Sequence, residues 1–262
     1  MKTIVRTGLY CTAASLAIVG FAIAMDIGGG RALWPWPDSR MSYIFIGSML
    51  LAQAGALFWQ ARSLELNAAM GGAIGYGLMN AGFVFLMGSL DLQTRDLRSL
   101  GWAITAMVLT LGAIAVLLLR NHFPVTRSSA TPPIVRWSFL VIAVALVIAT
   151  VMLLARSPIV FPWPLKPESS IAFGLMFLGS AVYFIDGFAR PYWGNAIGQL
   201  LAFLIYDLVL IYPWLSHFPK AKDGFLISLV IYVAVLLWSG YLAIRYLLVE
   251  RGTRIIGERV GA

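Results

Sequence analysis

Charge is scarce in this chain. Only 11% of its 262 residues are Asp, Glu, Lys or Arg, and 60% are hydrophobic, whereas an ordinary soluble domain carries about 25% charged residues. Such a surface excludes a water-soluble globular protein. Cysteine is almost absent: Cys11 stands alone, which rules out an intrachain disulfide and a thiolate metal cluster. The four lysines, Lys2, Lys166, Lys220 and Lys222, all fall outside the apolar stretches, so none is placed to carry a retinal. His122 and His217 are the only histidines and flank apolar stretches, which argues against a bis-histidine haem. No His, Cys, Asp or Glu cluster has metal-ligand spacing, and neither a phosphate-cradling glycine loop nor a nucleophile elbow occurs. The sequence therefore implies no cofactor and no catalytic constellation, and a non-enzyme is expected.

What the chain does have is long apolar runs. Stretches at 7–25, 41–60, 68–89, 101–119, 137–155, 170–188, 194–214 and 225–244 are each long enough to cross a hydrocarbon core as a helix, which takes about 17 to 25 residues. Barrel strands are about ten residues long and alternate apolar with polar, a pattern the chain lacks. The prediction is an all-α integral membrane protein of eight transmembrane helices. The first run follows Lys2 and Arg6 and ends Ala22-Ile23-Ala24, which also fits a cleaved signal peptide. The internal repeat described below favours a retained helix.

The basic residues indicate an orientation. With the N-terminus in the cytoplasm, Lys2, Arg6, Arg62, Arg120, Arg127, Arg136, Arg190, Arg245, Arg251, Arg254 and Arg259 face inward. Arg31, Arg40, Arg95, Arg98, Arg156, Lys166, Lys220 and Lys222 face outward. The excess favours cytoplasmic termini in a multi-pass cell-membrane protein. Because the net charge of +8 is spread over short loops instead of lining one face, it does not suggest nucleic acid as a partner. Anionic inner-leaflet lipids are the expected partners of the basic inner loops and of the tail 245–262. A membrane-protein partner or a second copy of the chain is also compatible. Eight of the nine tryptophans fall at span ends or in adjoining loops, where headgroups favour them; Trp238 lies inside a span.

The chain also repeats itself. Leu33-Trp34-Pro35-Trp36-Pro37 returns as Val160-Phe161-Pro162-Trp163-Pro164, 127 positions on. Ser42, Ile44 and Gly47 follow the first copy as Ser169, Ile171 and Gly174 follow the second. Val5-Arg6 and Val135-Arg136 precede the first helix of each half. The third helices open with Gly71-Gly72-Ala73-Ile74-Gly75 and Gly194-Asn195-Ala196-Ile197-Gly198, 123 positions apart. Four helices per unit is an even number, so the prediction is two parallel repeats, 1–120 and 136–262, joined by a cytoplasmic linker at 121–135. The matched pairs Gly71/Gly75 and Gly194/Gly198 are GxxxG spacings, which allow close helix packing where lipid gives no hydrophobic drive.

Asp207 is the one acid deep in a span, about 5 Å from the centre of the seventh helix at 1.5 Å per residue. An intramembrane carboxyl is by default a functional candidate. At 100° per residue, Asn195, Gln199 and Tyr206 lie within about 40° of one another, with Asp207 about 80° further round. These four form the candidate polar site, facing the bundle interior or a cavity. The alternative reading is a hydrogen-bonded acid that fixes helix packing. The first half offers Val84 or Asn80 at the matching position, so any chemistry there is asymmetric. Trp34, Trp36, Phe161 and Trp163 are a candidate outer docking surface, or else interfacial anchors. Asp186 and Arg190 read as a surface pair four apart. The functional expectation is a non-catalytic accessory, assembly or binding subunit. The alternative is a small transporter or channel with a site between the repeats near Asp207.

Overall fold

A computed structural model describes residues 1–221 and 223–255. Lys222, Arg259 and the end of the basic tail lie outside the described residues. The chain is all-helical, with 80% of it in helices. Among the described residues, eight helices are long and apolar enough to span a membrane: α1 (Lys2–Met25), α2 (Arg40–Ser63), α3 (Met70–Thr94), α4 (Leu97–Leu119), α5 (Pro133–Leu154), α6 (Pro167–Ala189), α7 (Trp193–Leu215) and α8 (Leu226–Ile244). Most run a few residues beyond the predicted spans, with polar or proline residues at their starts, whereas α3 and α8 begin slightly later than expected. Ser39 accepts the Ser42 N–H at 3.1 Å and Asp96 accepts the Arg98 N–H at 3.0 Å, each satisfying an otherwise orphaned donor. Pro133 and Pro167 occupy the first turns of α5 and α6, where a missing N–H costs nothing. The ends of α1 and α2 turn off through the left-handed residues Asp26 and Leu64.

The helices pack in two strings. One runs α1, α2, α7, α8 and the other α4, α3, α6, α5, while neither α2 with α3 nor α6 with α7 makes an extensive contact. The strings approach each other at both margins. Leu9 of α1 clusters with Leu66 and Phe123 beside Val116 and Leu119 of α4, and Trp238 of α8 donates to the Ser138 hydroxyl of α5 at 3.0 Å. Outward side chains such as Phe85, Leu111, Val141 and Ile227 are exposed and belong to the lipid-facing surface of a bundle in a bilayer.

Small residues set the tightest crossings. A Cβ on Gly179 would lie 2.7 Å from the Gly75 carbonyl oxygen, so α3 and α6 touch backbone to backbone. Gly20 and Gly47 do the same for α1 and α2. These approaches give dispersion contact and backbone proximity where apolar burial gives no gain over lipid.

Candidate functional site

The predicted polar stripe on α7 is divided among three neighbours. Asp207 is buried, and the Ser239 hydroxyl donates to it, lying 2.9 Å from Oδ2 and 3.1 Å from Oδ1. Gly240 leaves room for the carboxyl on α8. Asp207 is therefore a joint between α7 and α8. Asn195 Nδ2 donates to Asp186 Oδ2 at 3.1 Å and to the Arg190 carbonyl at 3.2 Å. Gln199 Nε2 donates to the Tyr183 carbonyl at 2.5 Å, its amide lodged against Gly187. Only Tyr206 lines a cavity. The four residues do not converge, because a 100° step between Tyr206 and Asp207 turns one inward and the other toward α8.

Each of the four paired glycines lies against a neighbouring group. Gly71 makes room for Asp186 and Gly75 for Gly179; Gly194 makes room for Glu65 and Gly198 for the Tyr183 hydroxyl.

The aromatic loops are not a docking surface. Trp34 and Phe161 are each 1% exposed and Trp163 is 4% exposed, so the expectation of an outward-facing partner site is corrected. The rings are folded down over the bundle end, where the indole N–H groups of Trp36 and Trp163 find partners across it. Trp36 Nε1 donates to the Ser169 hydroxyl at 2.7 Å, and Trp163 Nε1 donates to the Ser42 hydroxyl at 3.0 Å. Ser169 in turn donates to Asp38. Trp34 packs edge-on against Trp36 and Trp102, while Phe161 packs against Phe45, Phe173 and Phe177.

At the opposite end lies a polar network that sequence reasoning underrated. Asp186 and Arg190 form a two-pronged pair at 2.6 and 2.7 Å, with side chains 10% and 24% exposed, so they are not the surface pair that their spacing suggested. Arg190 Nη1 also donates to the Asn67 carbonyl at 3.0 Å. Burial works against the guanidinium charge, but the bonds and charges of Asp186 together with Tyr192 outweigh it and hold Arg190 above its ordinary value. Beside this pair, buried Glu65 accepts from Arg127 Nη1 at 2.8 Å and from the Thr126 hydroxyl. Glu65 and Thr126 escaped notice because they lie in loops, where nothing local in the sequence announces burial.

Between the two strings is a cavity of ≈ 480 Å³, with walls from all eight helices. It runs from Tyr206 and Tyr232, part-way along α7 and α8, to Val5, Leu66 and Leu119 at the end that holds the polar network. Its volume falls within the range of about 300 to 1,000 Å³ of small-molecule sites. The lining contains no Asp, Glu, Lys, Arg or His. Its polar groups include Gln53 and Gln60 of α2, whose Oε1 atoms are buried without a partner. Gln60 is 6% exposed. The sequence reading did not single out these uncharged amides, although their spacing of seven on one span was a readable signal. Among the described residues, no group of three or more His, Cys, Asp and Glu is placed to hold a metal.

Comparison of the chain with protein-family models, with curated proteins and with solved structures yields no match.

Proposed function

We propose that this is a non-catalytic multi-pass membrane protein of the accessory, assembly or binding kind, and that it works by binding a small apolar molecule in its central cavity. The observation that carries this reading is the cavity itself: ≈ 480 Å³, walled by every helix and free of ionisable residues other than tyrosine. The cavity opens toward the bundle surface beside Thr12 of α1 and Val108 of α4, so a molecule dissolved in the bilayer can reach it. The transporter alternative keeps the position of the cavity between the halves but loses Asp207 as a coupling acid, since that carboxyl is engaged by Ser239 on α8. The test is native mass spectrometry of the full chain extracted in mild detergent. Wild-type protein should carry a bound small molecule, and Ala56→Phe, which fills the cavity wall, should lose it. A wild-type protein with no adduct would remove the binding reading.

The architecture that frames this site is two parallel four-helix repeats, 1–120 and 136–262, in the cell membrane with both termini cytoplasmic. The reciprocal tryptophan bonds support the duplication: Trp36 and Trp163 are repeat equivalents, as are Ser42 and Ser169, and each tryptophan reaches the serine of the other half. Such an exchange is the mark of a two-fold relation, where residue i meets j and j meets i. The packing strings agree, since moving each helix four places on converts the α1–α2, α3–α4 and α2–α7 contacts into α5–α6, α7–α8 and α6–α3. The inward bias of basic residues supports the orientation, with the tail contributing about 1 kcal/mol per exposed Lys or Arg toward anionic inner-leaflet lipid. Reporters active only in the cytoplasm should be active when fused to either terminus; an inactive, fully expressed fusion at one end would overturn this topology.

A further inference from the structure

We infer that the ligand of this cavity is an uncharged lipid bearing a free hydroxyl, held by the side-chain amide of Gln60. The inference rests on the binding reading above and specifies its ligand.

Three observations carry it. First, the walls hold no Asp, Glu, Lys, Arg or His, so a charged group inside would lack a counter-charge and pay its full desolvation. The enclosed part of the ligand is therefore neutral. Second, the lining is otherwise mostly aliphatic and aromatic, its other polar groups being the hydroxyls of Thr12, Ser180 and tyrosines such as Tyr76, which suits hydrocarbon. Third, the amide oxygens of Gln53 and Gln60 are buried and unpartnered, although buried polar atoms are paired in the large majority of cases. Both side chains line the cavity. On α2 they stand seven residues apart, with Ala56 and Leu57 between them on the same face, so the two amides are spaced by about 10.5 Å along the helix axis. An unpartnered amide oxygen calls for a donor. In an apolar chamber without charge, a lipid hydroxyl supplies that donor while its chain fills the remaining space. A hydrocarbon without a hydroxyl would leave Gln60 unsatisfied, which is the basis of strong discrimination at sites built to bond a hydroxyl.

The experiment uses the full chain purified in mild detergent and two radiolabelled probes, 1,2-dioleoylglycerol and its 3-O-methyl ether, which differ only in the free hydroxyl. Wild-type protein should bind dioleoylglycerol about tenfold more tightly than the ether, the equivalent of one well-made buried hydrogen bond. Gln60→Leu should bind both probes equally, at the affinity of the ether, whereas Gln53→Leu, about 10.5 Å along the helix, should keep the preference. Gln60→Leu keeps a similar volume and removes a buried, unpartnered amide oxygen, so monodisperse elution is expected; Gln60→Met serves as the second variant if it does not elute so. Equal binding of both probes by wild type, or a preference that survives Gln60→Leu, would overturn the hydroxyl assignment while leaving the cavity a binding site. Binding of neither probe, with another adduct retained in the mass spectrum, would overturn the ligand class alone. Binding of neither probe with no adduct would overturn this inference and the binding function together.

Discussion

Gly75→Leu is expected to prevent α3 and α6 from docking. A Cβ added at Gly75 would overlap the Gly179 carbonyl oxygen, and one added at Gly179 would lie 2.7 Å from the Gly75 oxygen. Both obstacles are backbone, which cannot rotate aside as a side chain does. Overpacking a well-filled interior costs about 1 to 3 kcal/mol and occasionally more; a backbone-to-backbone crossing belongs at or beyond the upper end. Against a total stability of about 5 to 15 kcal/mol, this should appear as a large fall in thermal midpoint in detergent, or as loss of monodisperse protein. Gly88→Leu, on the same helix, provides the control. Nothing lies within 4 Å of a Cβ there, so its stability should stay within about 0.5 kcal/mol of wild type. Equal effects of the two substitutions would show that the crossing is not what holds α3 to α6.

Arg190→Ala should be the most damaging single polar substitution. It would leave Asp186 buried against Gly71 with Asn195 as its remaining side-chain donor, and would free the Asn67 carbonyl that Arg190 also engages. Removing one partner of a buried pair costs about 3 to 5 kcal/mol, chiefly because the other charge stays behind. The 24% exposure of the Arg190 side chain puts the expectation near the lower figure. Charge removal provides the diagnostic comparison. Asp186→Asn combined with Arg190→Ala should be more stable than Arg190→Ala alone, as read by thermal unfolding. If the double variant were less stable, the damage would come from lost packing of the arginine stem, not from an unpaired carboxylate.

Much of the membrane architecture was legible in the sequence. Eight apolar runs became eight helices, and the glycine spacings marked real close contacts at Gly75 and Gly198. Legibility failed where a side chain's role depends on its neighbour. The Pro-Trp-Pro motifs read as exposed aromatic loops because loops usually lie at the surface, but Trp36 and Trp163 each find a serine on a helix more than a hundred residues away. Asp207 drew attention as the lone deep acid, and Ser239, which answers it, lies on the next helix with nothing in the sequence to pair them. Glu65 drew none, and is nearly fully buried.

The sequence by itself determined the number of apolar spans and marked Gly75 as one close crossing, because hydropathy, helix length and glycine spacing are properties of short contiguous segments. Only the tertiary structure decided which face of each helix turns inward. The central cavity with its two unpartnered glutamine oxygens and the burial of Asp186 with Arg190 depend on that choice. The physical reason is that lipid and protein interior are equally apolar, so an all-apolar helix carries no stripe to orient it. Orientation is then set by complementary shape and scarce hydrogen bonds between helices far apart in the chain.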